Sequence, residues 1–145
     1  MALTIGTDAP TFTAKDTNGN TVSLSDFAGK TVVLYFYPKD DTPGCTKQAC
    51  SFRDANEEYQ GKDVVVIGVS ADDQASHQQF TQKYNLPFTL LADTDRTIIK
   101  AYDVDGGGKA MRVTYVIDAS GKITHVDSSV NTSSHASDVL SAIGM

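Results

Sequence analysis

Apolar positions along the chain fall into two rhythms, unbroken runs of six to eight and one-face repeats. KTVVLYFY, Lys30 to Tyr37, is continuously apolar, β-branched and aromatic, as expected of a strand covered on both faces. Pro38 follows it and withdraws a backbone donor, so strand pairing should stop there. DVVVIGVS, Asp63 to Ser70, predicts a second strand of the same kind. FTLLAD (Phe88 to Asp93) reads as a short third, while MRVTYVID (Met111 to Asp118) and KITHVDSSV (Lys122 to Val130) read as a hairpin around Ala119-Ser120-Gly121. Nearer the N-terminus, Thr11 to Ala14 and Thr21 to Leu24 flank the turn signal Asn18-Gly19-Asn20, which predicts another hairpin. Helices are predicted from Pro43 or Gly44 to Tyr59, stopping at Gly61, and from Asp72-Asp73 to a point before Pro87. A short helix over Asp95 to Val104 leads into a flexible DGGGK turn, and a closing helix spans Ser133 to Gly144.

After the first hairpin the order is β-α-β-α-β-α-β-β-α, which calls for a central sheet with helices on both faces. The first half favours parallel pairing through right-handed crossovers, and the late hairpin favours antiparallel pairing. The expected fold is therefore α/β, a thioredoxin-like mixed sheet flanked by helices with a β-hairpin added at the N-terminus. One domain, residues 1–145, accounts for the chain, which shows no linker, repeat or low-complexity tract. No Gly-x-Gly-x-x-Gly follows either buried strand, so a dinucleotide site has no support.

Composition narrows the function. The net charge of -6 argues against nucleic acid, whose binders need a basic face. No apolar run approaches the roughly 20 residues of a membrane span, and the start, MALTIGTDAPTF, lacks the features of a signal peptide. A cytoplasmic protein is expected. Two cysteines are too few for a secreted disulfide framework, and His77, His125 and His135 lack ligand spacing, so no metal site is expected. Redox or nucleophilic chemistry suits a close cysteine pair better.

Both sulfurs lie in YFYPKDDTPGCTKQAC, residues 35 to 50. Strand, loop and helix place Cys45 in the first helical turn, where unsatisfied N–H groups and the positive end of the dipole favour an anion such as a thiolate. The other common fate of a free cysteine is that of a small buried hydrophobe. A Pro-Gly turn between threonines suits that role poorly.

YPKDDTPGCT, with Pro38, Thr42 and Cys45 in a Pro-x-x-x-Thr-x-x-Cys pattern, resembles the peroxiredoxins. The longer YFYPKDDTPGCTKQACSFRD resembles the bacterioferritin comigratory protein, or peroxiredoxin Q, subgroup, and the similarity extends through YNLPFTLLAD, RVTYVIDASGKI and NTSSHASDVL. The resemblance implies a thiol peroxidase for hydrogen peroxide and organic hydroperoxides, without a cofactor. It assigns Cys45 as the peroxidatic nucleophile, with Thr42 accepting from the peroxide and donating to the thiolate. By the same resemblance Pro38 is expected to shape and dry the substrate pocket, in a largely structural role, and the backbone N–H groups around Gly44 and Cys45 to complete the donor set. Arg112 resembles the family arginine, whose guanidinium is expected to stabilise the thiolate and the developing oxyanion. Gln48 and Tyr37 are candidates for orienting Arg112 or lining the pocket. Cys50 is implied as the resolving cysteine, forming an intramolecular disulfide that thioredoxin or a similar dithiol reduces. A monomer suffices for that cycle. On the residues alone, Thr42 also reads as a turn residue, Arg112 as a strand-end cation and Cys50 as a buried helix cysteine. The stretch before the arginine, YDVDGGGKAMR, is short for the family, so the resemblance does not assign which residues line the substrate mouth and the reductase-docking face around Asp105 to Lys109.

Two other classes compete. A thioredoxin-like disulfide reductase uses Cys-x-x-Cys, whereas four residues intervene here. An interaction module on the same fold would leave Cys45 dispensable. The spacing also carries a geometric expectation. Five helical residues separate Cα atoms by roughly 8.7 Å, against about 7 Å for a disulfide, so Cys45 and Cys50 cannot bond while the helix is intact.

Overall fold

β3 (Thr31–Phe36) sits between β4 (Val64–Ser70), its parallel neighbour, and β6 (Val113–Ile117), its antiparallel one. Alternation along it explains the unbroken apolar run. Val32, Leu34 and Phe36 enter the core on one face, and Val33, Tyr35 and Tyr37 enter the core on the other. The structure is a computed structural model describing residues 3–143.

The remaining elements are a hairpin, β1 (Thr13–Asp16) and β2 (Thr21–Ser23); the helices α1 (Pro43–Asp54), α2 (Asn56–Gly61), α3 (Gln74–Tyr84), α4 (Thr97–Ala101) and α5 (His135–Ile143); and the strands β5 (Thr89–Ala92) and β7 (Ile123–Asp127). The strands form one mixed sheet in the order β2-β1-β5-β4-β3-β6-β7. The three central strands β5, β4 and β3 are parallel, and the pairs β3/β6 and β6/β7 are antiparallel. The N-terminal hairpin extends the sheet by laying β1 antiparallel to β5.

Local chemistry accounts for the ends. The Asp16 carboxylate accepts from the N–H groups of Asn18 and Asn20, both at 2.9 Å, and Gly19 takes φ 81° in the turn. Asp73 caps α3 by accepting from Ser76 N–H at 2.9 Å, and Asn85 closes it in the left-handed region. On one face of the sheet, α1, α2, α3 and α5 contribute Ala49, Phe52, Tyr59, Phe80 and Leu140. On the other, Ile98, Ile99, Tyr102 and Phe12 pack. Gly68 lies opposite Tyr35 in register, and a Cβ there would fall 2.8 Å from the tyrosine ring, so the strand glycine makes room for an aromatic.

Several predicted boundaries shift. The helix expected over Pro43 to Tyr59 breaks at Ala55, where ψ is 6°. Hydrogen bonds from Ala55 N–H to Ser51 O and from Tyr59 N–H to Ala55 O run across the break. It is therefore a one-residue distortion without proline or glycine, and the apolar pattern cannot register it. Leu24 leaves the hairpin to open a 3-10 turn over Leu24–Phe27. The helix expected over Asp95 to Val104 shrinks to Thr97–Ala101, and the closing helix starts at His135 rather than Ser133; its predicted end at Gly144 lies outside the described residues. DGGGK is a closed turn in which the Asp105 carboxylate accepts from Gly107 and Gly108 N–H, with a bridge from Asp105 to Ala110. Among the described residues no helix is long and apolar enough to cross a membrane.

Candidate active site

The chain leaves the sheet after Tyr37, whose N–H still donates to Val69 O at 3.1 Å. Pro38 then ends the pairing and lies half-buried at the strand end. Asp41 adopts φ 58°, reversing the chain, and Thr42 takes the extended conformation of an N-cap. Pro43 occupies the first helical position, where its missing N–H costs nothing. The first intrahelical bond runs from Thr46 N–H to Thr42 O at 2.8 Å. The N–H groups of Gly44 and Cys45 are thus among those a helix start leaves without an intrahelical acceptor. Cys45, third residue of α1, is 1% exposed.

Arg112 reaches this helix end from the strand next door. β3 and β6 pair until Phe36 faces Val113, which brings the residue preceding β6 alongside the loop leaving β3. Its Nη2 donates to Cys45 Sγ at 3.3 Å, and its Nη1 donates to Gln48 Oε1 at 2.6 Å. Gln48, fully buried one turn after Cys45, orients the guanidinium. A Cβ on Gly44 would lie 3.0 Å from Arg112 Nη2, so only glycine lets the cation approach without displacement. The Thr132 methyl lies 4.0 Å from the same point, so the segment before α5 also approaches this helix end. The sequence analysis does not single out Thr132.

Two expectations change. The Thr42 hydroxyl donates to Lys39 O at 2.9 Å rather than to the Cys45 sulfur, because the turn carries that carbonyl back over it. Its lone pairs remain available to accept. Tyr37 does not orient Arg112: its hydroxyl donates to Asp40 Oδ1 at 2.6 Å, on the α3 side of the loop. Cys50 lies half-buried along the same uninterrupted helix, and both cysteines are free thiols.

The surroundings are apolar and aromatic. Tyr35 stacks on Phe52 at 4.9 Å, and burial first, then the Cys45 sulfur, pushes its phenol well above the ordinary value. His135, the first residue of α5, is fully buried edge-on against Phe52 with Nε2 2.8 Å from Thr114 Oγ1. Burial lowers its pKa to about 4, against the weaker opposing pull of Asp127 and Asp138. α1 and α5 are tied further by Ala136 N–H donating to Ser51 Oγ at 3.0 Å.

A buried thiol at a helix start, faced by a guanidinium held from a neighbouring strand, defines a centre for attack on a polar, anion-forming substrate. Residues 5–126 match the AhpC/TSA family, and the chain belongs to it. It is 42% identical to peroxiredoxin Bcp of Bacillus subtilis, over 99% of this chain and 96% of that one. It is 52% identical to the chloroplastic peroxiredoxin Q of Triticum aestivum over 83% of this chain, spanning 57% of the longer wheat protein. A Cys-to-Ser mutant of PrxQ from Xylella fastidiosa superposes with a TM-score of 0.92 at 28% identity, covering 99% of this chain and 97% of that one. The fold is thioredoxin-like, a mixed sheet flanked by helices.

Proposed function

We propose that this member of the family reduces hydrogen peroxide and organic hydroperoxides at Cys45 and is recycled through a Cys45–Cys50 disulfide. The carrying observation is Arg112 Nη2 at 3.3 Å from a buried Cys45 Sγ in the first turn of α1. The thiolate attacks the terminal peroxide oxygen; the O–O bond breaks, and the leaving oxygen takes a proton and departs as water or alcohol. Cys45 is left as a sulfenic acid. Arg112 and the free N–H groups of the first turn face the negative charge that grows on the oxygens. Thr42 accepts from the peroxide O–H, and Pro38 and Gly44 bound the pocket. Cys50 then attacks the sulfenyl sulfur, expelling water and forming the disulfide. Two electrons from thioredoxin or a similar dithiol restore both thiols. We infer that the protein works in the cytoplasm as a monomer, since an intramolecular pair needs no second subunit.

Because α1 is continuous from Cys45 to Cys50, resolution requires its first turn to unwind. The same continuity favours a second reading, in which an external thiol attacks the sulfenic acid directly and Cys50 is a bystander. Following peroxide consumption with thioredoxin in wild type, Cys45→Ser and Cys50→Ser separates the possibilities. Cys45→Ser should be inactive, and more than about a tenth of residual turnover overturns the assignment, since no hydroxyl matches a thiolate nucleophile. Cys50→Ser should consume about one equivalent and stall; steady turnover establishes the external-thiol route.

A further inference from the structure

Behind the site lies a buried polar cluster that the mechanism above does not use. His77 on α3 is fully buried, with Nδ1 2.7 Å from Asp40 Oδ2 and Nε2 2.9 Å from Leu91 O on β5. A backbone carbonyl can only accept, so Nε2 carries a proton. The neutral ring would then turn the Nδ1 lone pair towards a carboxylate, so the arrangement calls for the imidazolium. Asp40 is the anchor of the loop from Pro38 to Thr42. Its Oδ1 accepts from Tyr37, the residue after β3, and its Oδ2 accepts from Ser76 Oγ of α3 at 2.8 Å. Its N–H donates at 2.8 Å to Asp72 Oδ2, which also accepts from Ser70 Oγ. The neighbouring Lys39 supplies the carbonyl that holds Thr42, and Thr42 opens α1. The position of the Thr42 hydroxyl and of the first-turn N–H groups is thus referred to Asp40.

We propose that His77 is a positioning residue for the reaction at Cys45: as an imidazolium donating from both ring nitrogens it fixes Asp40, and loss of one ring proton loosens the loop that sets Thr42 and the start of α1. The groups facing the ring are Asp40 from the loop, Tyr37 just after β3, Asp72 from the β4–α3 turn, Ser76 from its own helix and the Leu91 carbonyl from β5. Two carboxylates and no cation are among them. Burial opposes the charge, but the hydrogen bond and charge of Asp40, the Leu91 carbonyl and Asp72 together raise the His77 pKa above its ordinary value. The latch is therefore closed below and through that ordinary value and opens as pH rises through the raised one. Reactivity should fall on the alkaline side, where the thiolate itself is not becoming scarcer.

The inference rests on the peroxidase reading, and the test keeps the two apart. The second-order rate constant of the reduced protein with hydrogen peroxide is measured by stopped flow from about pH 6 to about pH 9, beside the ¹⁵N titration of the His77 ring. The rate constant should fall roughly tenfold with the His77 midpoint, the shift that loss of a charge-assisted hydrogen bond produces in a local equilibrium. Exchange of the Asp40 amide, corrected for its intrinsic pH dependence, should rise with the same midpoint. In Asp40→Asn the side-chain amide can donate to a neutral His77 whose Nε2 still bonds Leu91 O, so both alkaline changes should vanish. A flat wild-type rate and flat Asp40 exchange across the His77 titration overturn the proposal, as does an unchanged alkaline fall in Asp40→Asn. The exchange measurement decides the latch even in a protein that fails to consume peroxide.

Discussion

Acid should weaken this fold at one identifiable residue, His135. Its imidazole is fully buried against Phe52, with Thr114 at one nitrogen and Asp127 3.8 Å from the other. Burial holds its pKa at about 4, against about 6.5 for a histidine in the unfolded chain. The unfolded state therefore binds a proton first as pH falls, and stability is lost between the unfolded and folded values. Going from pH 7 to pH 5 should remove about 2 kcal/mol through this group, and the full loss well below pH 4 is about 3 kcal/mol. Against a typical total of about 5–15 kcal/mol this is a large share. His77 works in the opposite direction: its raised pKa makes its contribution complete below the unfolded value and lost at alkaline pH. The assay must therefore compare two proteins. Urea unfolding of wild type and His135→Gln at pH 7 and pH 5 isolates the residue, because every other titrating group is shared. The variant should start less stable at pH 7 yet lose about 2 kcal/mol less on acidification. Parallel losses in the two proteins would refute the reasoning.

Three further outcomes follow from the geometry. Arg112→Ala should slow the reaction of Cys45 with peroxide by about a hundredfold, the usual effect of removing one donor to a developing oxyanion; stopped-flow kinetics check it, and an unchanged rate makes the arginine a bystander. Phe52→Ala, which empties the space between Tyr35, Tyr59, Phe88 and His135, should cost about 3–5 kcal/mol in urea unfolding. Oxidation by one equivalent of peroxide should raise amide exchange from Thr42 to Phe52 while Val32 to Tyr37 and Val64 to Val69 stay protected, because frayed helix ends open before core strands; unchanged exchange in a disulfide-bonded protein would refute unwinding.

Much of the architecture is visible in residue order because its signals are local. β3 and β4 stand out as apolar runs, and the first hairpin is given by Asn18-Gly19-Asn20. Where that hairpin docks is not visible: the antiparallel match of Lys15 with Ala92 joins segments far apart in sequence. Cys45 is legible because proline, glycine and cysteine follow a buried strand. Arg112, 67 residues away, reads from pattern alone as a strand-end cation, and only the family resemblance points to it. Asp40 and His77 were invisible for a related reason. A histidine on the inner face of an amphipathic helix looks like core, and an aspartate in DDTPG looks like turn. Their meaning lies in a 2.7 Å contact across 37 residues.

β3 belongs to both hydrophobic layers at once, since its odd and even residues serve opposite faces. No position in Val32 to Tyr37 is therefore a spectator, and a change on either face must be accommodated by a different set of helices. In evolutionary drift this strand should be the slowest part of the chain. The Gly106–Gly108 turn, closed by bonds within residues 104–111, should be the freest to change length. The loop bearing the chemistry is thereby fixed to the segment that tolerates least variation.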